Sequence, residues 1–169
     1  MASTGLTASD LVEIERIKRL KYKYMRCIDQ KLWDEIAECF TPDATAAYSS
    51  GKYSFKGAEA IVEFLRKSMG SETFHSSHRV HHPEIDFTSE TTATGIWALE
   101  DVVIETQWQV TIRGAAFYED EYEKVDGEWK IKSTGYRRTY EEIQSRKEMP
   151  GLKLTASWWT TDGRSEIDV

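Results

Sequence analysis

Basic residues are in short supply in this chain. Its 22 lysines and arginines stand against 29 aspartates and glutamates, for a formal net charge of −7. Such a balance offers no basic face to neutralise phosphates, which argues against an electrostatic nucleic-acid binder. Long apolar runs are also missing, and no stretch approaches the length of a membrane span. The opening Met-Ala-Ser-Thr-Gly lacks a charged segment followed by an apolar one, so no secretory leader is expected and a cytoplasmic location is. Cysteine is reduced to Cys27 and Cys39, twelve residues apart in helical patterns. They match no metal or redox motif and read as buried free thiols. Repeats, linkers and low-complexity segments are absent. Histidine is scarce too, yet all four fall within eight residues, in Phe74-His75-Ser76-Ser77-His78-Arg79-Val80-His81-His82-Pro83.

What is present is enough for a core. The apolar fraction is 40% and the aromatic fraction 12% over 169 residues, which fits one globular domain spanning 1–169. Its folded core is expected over about 9–148, with a tail at 149–169 that shows no clear period. Thr7-Ala-Ser-Asp10 reads as a capping box. Behind it Ile14, Ile17, Leu20, Tyr24, Cys27 and Ile28 recur at helical spacing, and the helix ends near Asp29-Gln30-Lys31. A short helix follows with Trp33, Ile36, Ala37 and Phe40 inward, broken by Thr41-Pro42-Asp43-Ala44. Ala46–Ser49 and Lys52–Phe55 predict a hairpin around Ser50-Gly51. A third helix carries Ala58, Ile61, Leu65 and Met69 and stops at Gly70.

From Phe74 the texture becomes strand-like. Strands are expected over 75–87, over the Thr-, Trp-, Val- and Ile-rich 91–104, and over 110–125. Asp126-Gly127 is a two-residue hairpin turn. A last strand is expected over Glu128–Thr139, then a brief helical tail over Tyr140–Arg146. Helices first and a meandering antiparallel sheet afterwards is an α+β order. A curved sheet wrapped around an N-terminal helix encloses a cone, whose interior is a natural pocket.

A metal site is the first reading of four clustered imidazoles, but the spacing speaks against it. Strand ligands pair as His-x-His, and no two histidines here stand two apart. His78 and His82 share a parity, yet four residues along a strand span roughly 13 Å. Acid–base chemistry asks for fewer residues, converging in a pocket. Asp101 ends Trp97-x-Leu99-x-Asp101, which places a carboxylate on a face of large apolar side chains. Asp29 lies at a helix C-terminus, where the macrodipole disfavours an anion. It reads equally as the N-cap of the second helix. Tyr24 on the apolar stripe, and Tyr48 in the hairpin, are either core or buried donors that need a partner. Of Arg137 and Arg138, one faces outward and the other must find a partner inside. Composition and spacing name no substrate.

Several stretches do resemble a known family. Met25-Arg-Cys-Ile-Asp29, Lys31-Leu-Trp-Asp-Glu35, Ser89-Glu-Thr-Thr-Ala-Thr-Gly95, Leu99-Glu-Asp101, Gly114-Ala-Ala-Phe-Tyr118, Tyr122-Glu-Lys-Val-Asp-Gly127 and Gly135-Tyr-Arg-Arg138 look like bacterial bile-acid 7α-dehydratase. That family sits in the SnoaL-like branch of the nuclear transport factor 2-like superfamily, and the resemblance runs from about Ile14 to Glu142. It implies an α+β cone with a catalytic group of Tyr24, Asp29, Tyr48, His78, Asp101 and Arg138. His78 would be the acid–base residue with Asp101 as its partner. The tyrosines and Asp29 would donate to or polarise developing charge. The implied reaction removes water from a 7α-hydroxy-3-oxo-4-ene steroid, with no cofactor and no metal. The implied partners are a hydrophobic small-molecule substrate and further copies of the chain, a trimer being favoured, with neither nucleic acid nor membrane. Two departures touch the substrate mouth: the segment Val102–Arg113 is shorter than in that family, and the tail after Pro150 finds no match. Two rivals stand beside this reading. One is another lyase, isomerase or cyclase of the same cone, acting on a polyketide or aromatic intermediate. The other is a non-catalytic binding or assembly module, whose cavity side chains would fill.

Overall fold

The computed structural model describes residues 5–167; Met-Ala-Ser-Thr at the start lies outside them. Helix α1 (Ala8–Asp29) opens on the expected capping box, with the Thr7 hydroxyl accepting from the Asp10 amide and the Asp10 carboxylate accepting from the Thr7 amide. Ile17, Lys21, Tyr24 and Ile28 are buried along one side of α1 at three- and four-residue intervals. After Gln30, Lys31 takes a positive φ of 55° and redirects the chain into α2 (Trp33–Ala37), whose Ile36 is fully buried. Leu32, not Asp29, occupies the N-cap of α2, and it makes no side-chain cap bond. Asp29 is thereby left for another task.

Strand β1 (Phe40–Tyr48) begins where the sequence predicts a break. Pro42 is tolerated because the ladder to the neighbouring strand is irregular between Phe40 and Thr45, so its missing N–H interrupts no regular pairing. The hairpin to β2 (Tyr53–Lys56) pairs Tyr48 with Tyr53 as expected, and α3 (Ala58–Met69) packs Ile61, Val62 and Leu65 inward. Four long strands follow: β3 (Phe74–Phe87), β4 (Thr92–Glu105), β5 (Val110–Val125) and β6 (Glu128–Ser145). Asp126 and Gly127 both have positive φ, as the tight β5–β6 turn requires.

Two expectations need correction. The sheet is mixed: its order is β2-β1-β6-β5-β4-β3, and β1 runs parallel to β6 while every other pair is antiparallel. The passage through α3 before β3 lets an early strand join the far side of the later meander. Residues 140–145 are strand rather than helix, because β6 stays hydrogen-bonded to β5 as far as the Val110–Ser145 pair. Exposed polar residues on both faces of this arm mimic a helical surface pattern, and backbone pairing overrides it.

The sheet curves around α1. Its inner face carries Trp97, Leu99, Tyr118, Tyr122, Trp129 and Ile131, all buried. Among the described residues, no helix is long and apolar enough to cross a membrane.

Candidate active site

Each candidate side chain is aimed inward by the pitch of its own element. Alternation on β4 puts Trp97, Leu99 and Asp101 on one buried face, as the spacing predicts. The same register places His78 directly opposite Asp101 on β3, so the two share the inner face. On β6 a bulge separates Arg138, opposite Ala116, from Tyr140, opposite Ala115. That bulge lets Arg138 face inward while the strand continues beyond. Arg137 faces outward to Glu119.

His78 does not take Asp101 as its hydrogen-bonding partner. Its Nδ1 lies 2.7 Å from Asp29 Oδ1, at the end of α1. Asp29 also accepts from the His78 backbone amide at 2.8 Å and from the Ser76 hydroxyl at 2.8 Å. These donors offset the unfavourable end of the helix dipole. A carboxylate only accepts, so in the neutral ring this contact places the proton on Nδ1 and leaves Nε2 with its lone pair. Asp101 is held instead by Arg138, whose Nη1 and Nη2 both bond it, the latter at 2.9 Å, and Arg138 Nε lies 3.1 Å from Glu141. The reason is reach. A planar guanidinium matches a carboxylate in a two-point contact that an imidazole cannot make. Burial disfavours the Arg138 charge, but the hydrogen bonds and charge of Asp101 outweigh it and push the guanidinium higher than usual.

Gly114, opposite Asp101, makes this pair possible. A Cβ there would sit 2.6 Å from Arg138 Nη1 and 2.9 Å from the Tyr140 carbonyl, so only glycine lets the guanidinium lie across β5.

Tyr24 and Tyr48 are each other's partner, with hydroxyls 2.9 Å apart. Of two hydroxyl protons, one is used between them and one remains to donate. Burial raises both phenols above their usual range, so they stay protonated at neutral pH. Tyr48 lies 6.0 Å, centroid to centroid, from Tyr136, and the Arg138 guanidinium sits 5.1 Å from the Tyr136 ring. The six expected residues therefore close a circuit: Tyr24 to Tyr48, through Tyr136 to Arg138 and Asp101, across the ladder to His78, and through Asp29 back to α1. His78, Asp29 and Arg138 retain 11%, 22% and 19% of their side-chain exposure, so this end of the circuit meets solvent.

Sequence reading passed over Tyr136, Ser76, Glu141 and Gly114, although Tyr136, Ser76 and Gly114 lie inside quoted stretches. It also missed Lys21, which is fully buried with its ammonium 2.6 Å from Asp120. The other histidines separate from His78. His75 approaches Ser157 of the tail at 3.5 Å, His81 lies 3.9 Å from Glu100, and His82 takes a positive φ of 44° at a bulge. Among the described residues no three His, Cys, Asp or Glu side chains converge as metal ligands would.

A separate concavity lies elsewhere. A groove of about 800 Å³ runs along the opposite side of α1, between Arg16, Arg19, Lys23, Arg26, Glu38 and Trp129. Three of its cations are already paired, with Glu13, Glu38 and Glu35, and it holds no histidine. Of the two places, the circuit is the one that brings an imidazole and a carboxylate together.

A family model described as a SnoaL-like domain matches residues 9–135. A solved structure from Novosphingobium aromaticivorans, provisionally described as a scytalone dehydratase, is 26% identical, with a TM-score of 0.75 over 95% of this chain and 100% of that one. The LinA-type3 hexachlorocyclohexane dehydrochlorinase of Novosphingobium barchaimii shares the fold at 21% identity and a TM-score of 0.73, over 85% of this chain and 94% of its own. A Mycobacterium tuberculosis protein of unknown function shares it at 20% identity and a TM-score of 0.68, over 91% of this chain and 85% of its own.

Proposed function

This chain belongs to the SnoaL-like family, and from that premise we propose that it is a lyase that eliminates water across two adjacent carbons of a cyclic, largely apolar substrate. The observation that carries the reading is the His78–Asp29 pair, an imidazole held with Nε2 free at the exposed end of a ring of hydrogen-bonding side chains. Relatives whose descriptions name a dehydratase and a dehydrochlorinase support the reaction class.

The substrate we propose is a 7α-hydroxy-3-oxo-4-ene steroid, with no cofactor. Its C6 proton is acidified through the conjugated enone. His78 Nε2 takes that proton, and the charge the ring acquires forms beside the Asp29 carboxylate. Electrons moving toward the 3-oxo group are met by the unused hydroxyl proton of the Tyr24–Tyr48 dyad. The imidazolium then returns the proton to the departing 7-hydroxyl. The C6–H and C7–O bonds break, a C6=C7 double bond forms, and water leaves. Arg138 is committed to Asp101, so it fixes that wall and is not free for a substrate carboxylate. Incubating the protein with this steroid and following the longer-wavelength absorption of the 4,6-dienone tests the proposal. Turnover reduced roughly 10²- to 10⁴-fold by His78→Ala is the expected result. The absence of any signal across a panel of hydroxysteroids sinks it.

One observation favours a second reading, a non-catalytic binding module of the same fold. Tyr24, Trp97, Tyr118, Tyr122 and Lys21 fill the inner part of the cone with buried side chains. Under that reading the filled cone leaves no room for a steroid and the protein serves as a partner-binding or assembly module, so the same absorbance experiment paired with calorimetry should show neither turnover nor steroid binding.

A further inference from the structure

Lys21 is the least expected residue in the molecule. A lysine is almost never fully buried without a partner, and this one has no exposed surface at all. Its ammonium lies 2.6 Å from Asp120 Oδ2, 3.5 Å from the centroid of the Tyr118 ring and 5.1 Å from that of Tyr24. Asp120 is equally buried and also accepts from the Tyr122 hydroxyl and the Thr134 hydroxyl, each at 2.7 Å. Tyr122 in turn accepts from the Trp97 indole at 2.9 Å.

This knot of charge ties α1 to β4, β5 and β6 one turn before Tyr24. A core built for stability alone has little use for it, since replacing a buried ion pair by well-packed apolar residues is often neutral or favourable. What the pair does supply is direction. The carboxylate is fixed by two hydroxyls from the sheet, the ammonium is fixed by the carboxylate, and the ammonium sits against the faces of two tyrosines. Tyr118 packs edge-on against Tyr136 at 5.4 Å, and Tyr136 lies against Tyr48. The knot therefore touches both halves of the hydroxyl dyad, Tyr24 directly and Tyr48 through two rings.

We infer that Lys21 and Asp120 are positioning residues for the Tyr24–Tyr48 dyad, holding the two phenols so that the unused hydroxyl proton points at the substrate oxygen. This rests on the elimination reading above. Burial pulls the Lys21 ammonium below the usual lysine range and Asp120 only partly restores it, in keeping with a charge kept for placement rather than for stability.

The test compares Lys21→Met, Asp120→Asn and the double variant. Each single change leaves one partner buried and unmatched, so each should unfold at lower temperature. The double variant, free of both charges, should recover most of the thermal midpoint while kcat stays roughly 10- to 100-fold down with little change in KM. In the double variant the 13Cζ resonances of Tyr24 and Tyr48, assigned with Tyr24→Phe and Tyr48→Phe, should also move. Recovery of kcat together with the thermal midpoint overturns the inference and leaves the pair a purely structural device. If the parent protein turns over no hydroxysteroid, the elimination reading has failed by itself. The resonances then decide the placement claim alone, and unshifted signals in the double variant overturn it.

Discussion

The tautomer of His78 is the smallest feature on which the chemistry depends. Asp29 imposes it by accepting at Nδ1, so Asp29→Asn tests it directly. An asparagine amide is able to donate to Nδ1 instead, which moves the ring proton to Nε2 and removes the base. Turnover of the steroid by Asp29→Asn is expected to fall roughly 10³- to 10⁴-fold, the scale seen when an acid that orients a catalytic imidazole is lost. His78→Ala should lose roughly 10²- to 10⁴-fold. Circular dichroism of both variants should match the parent. Asp101→Asn, by contrast, weakens a wall and not the base, and its kcat should fall less than that of Asp29→Asn. The two cysteines give an independent check on the core. Both are buried, and burial raises both thiols, Cys39 to about 12. The thiolate is therefore scarce at pH 8, and a thiol-specific chromophoric disulfide should react with neither until denaturant is added, then with two per chain.

At the scale of elements, the fit between β5 and β6 is the most sensitive point. The Arg138–Asp101 pair crosses β5 over Gly114, and Asp101 is almost fully buried. Arg138→Leu strands that carboxylate and should cost about 3–5 kcal/mol in urea unfolding. Gly114→Ala drives a methyl into both the guanidinium and the Tyr140 carbonyl, and a lowered thermal midpoint is expected even though alanine is the smallest possible change. At the far end of α1, Thr7→Ala removes the capping box and should cost about 1 kcal/mol. The elements differ in how plainly the chain announces them. The capping box of α1, the Asp126-Gly127 turn and the inward face of Trp97, Leu99 and Asp101 depend on neighbours within a few residues, and local pattern is enough for them. The outer end of β6 and the start of β1 are not announced. Residues 140–145 become strand only because β5 lies alongside, and Pro42 is carried by an irregular ladder to a strand some ninety residues away.

For the molecule as a whole, association is the property the outer surface bears on. Ile96 and Phe117 are 42% and 48% exposed on the outer face of the sheet, and Tyr140 and Ile143 are exposed on the β6 arm. We expect this face to join copies of the chain, the trimer being favoured. Light scattering should then give a multiple of 19.5 kDa, and Phe117→Glu should shift it toward the single chain. A 19.5 kDa particle from the parent would contradict that. The four clustered histidines show how far a linear reading goes. The α+β order, the inward carboxylate at Asp101, the demand of Tyr24 for a partner and the division of Arg137 from Arg138 are all properties of period and polarity, and the amino-acid sequence alone determined them. Which carboxylate meets which base was decided elsewhere. His78 and Asp101 face each other across one ladder, yet the imidazole bonds to Asp29, forty-nine positions earlier, because α1 ends beside β3 and three donors there stabilise an anion. Lys21 is not singled out in the sequence, where it is one of several lysines on the first helix. Only the wrapping of the sheet around α1 brings Asp120 to it and makes burial of its charge tolerable, since an ion pair is a relation between distant segments that no local spacing records.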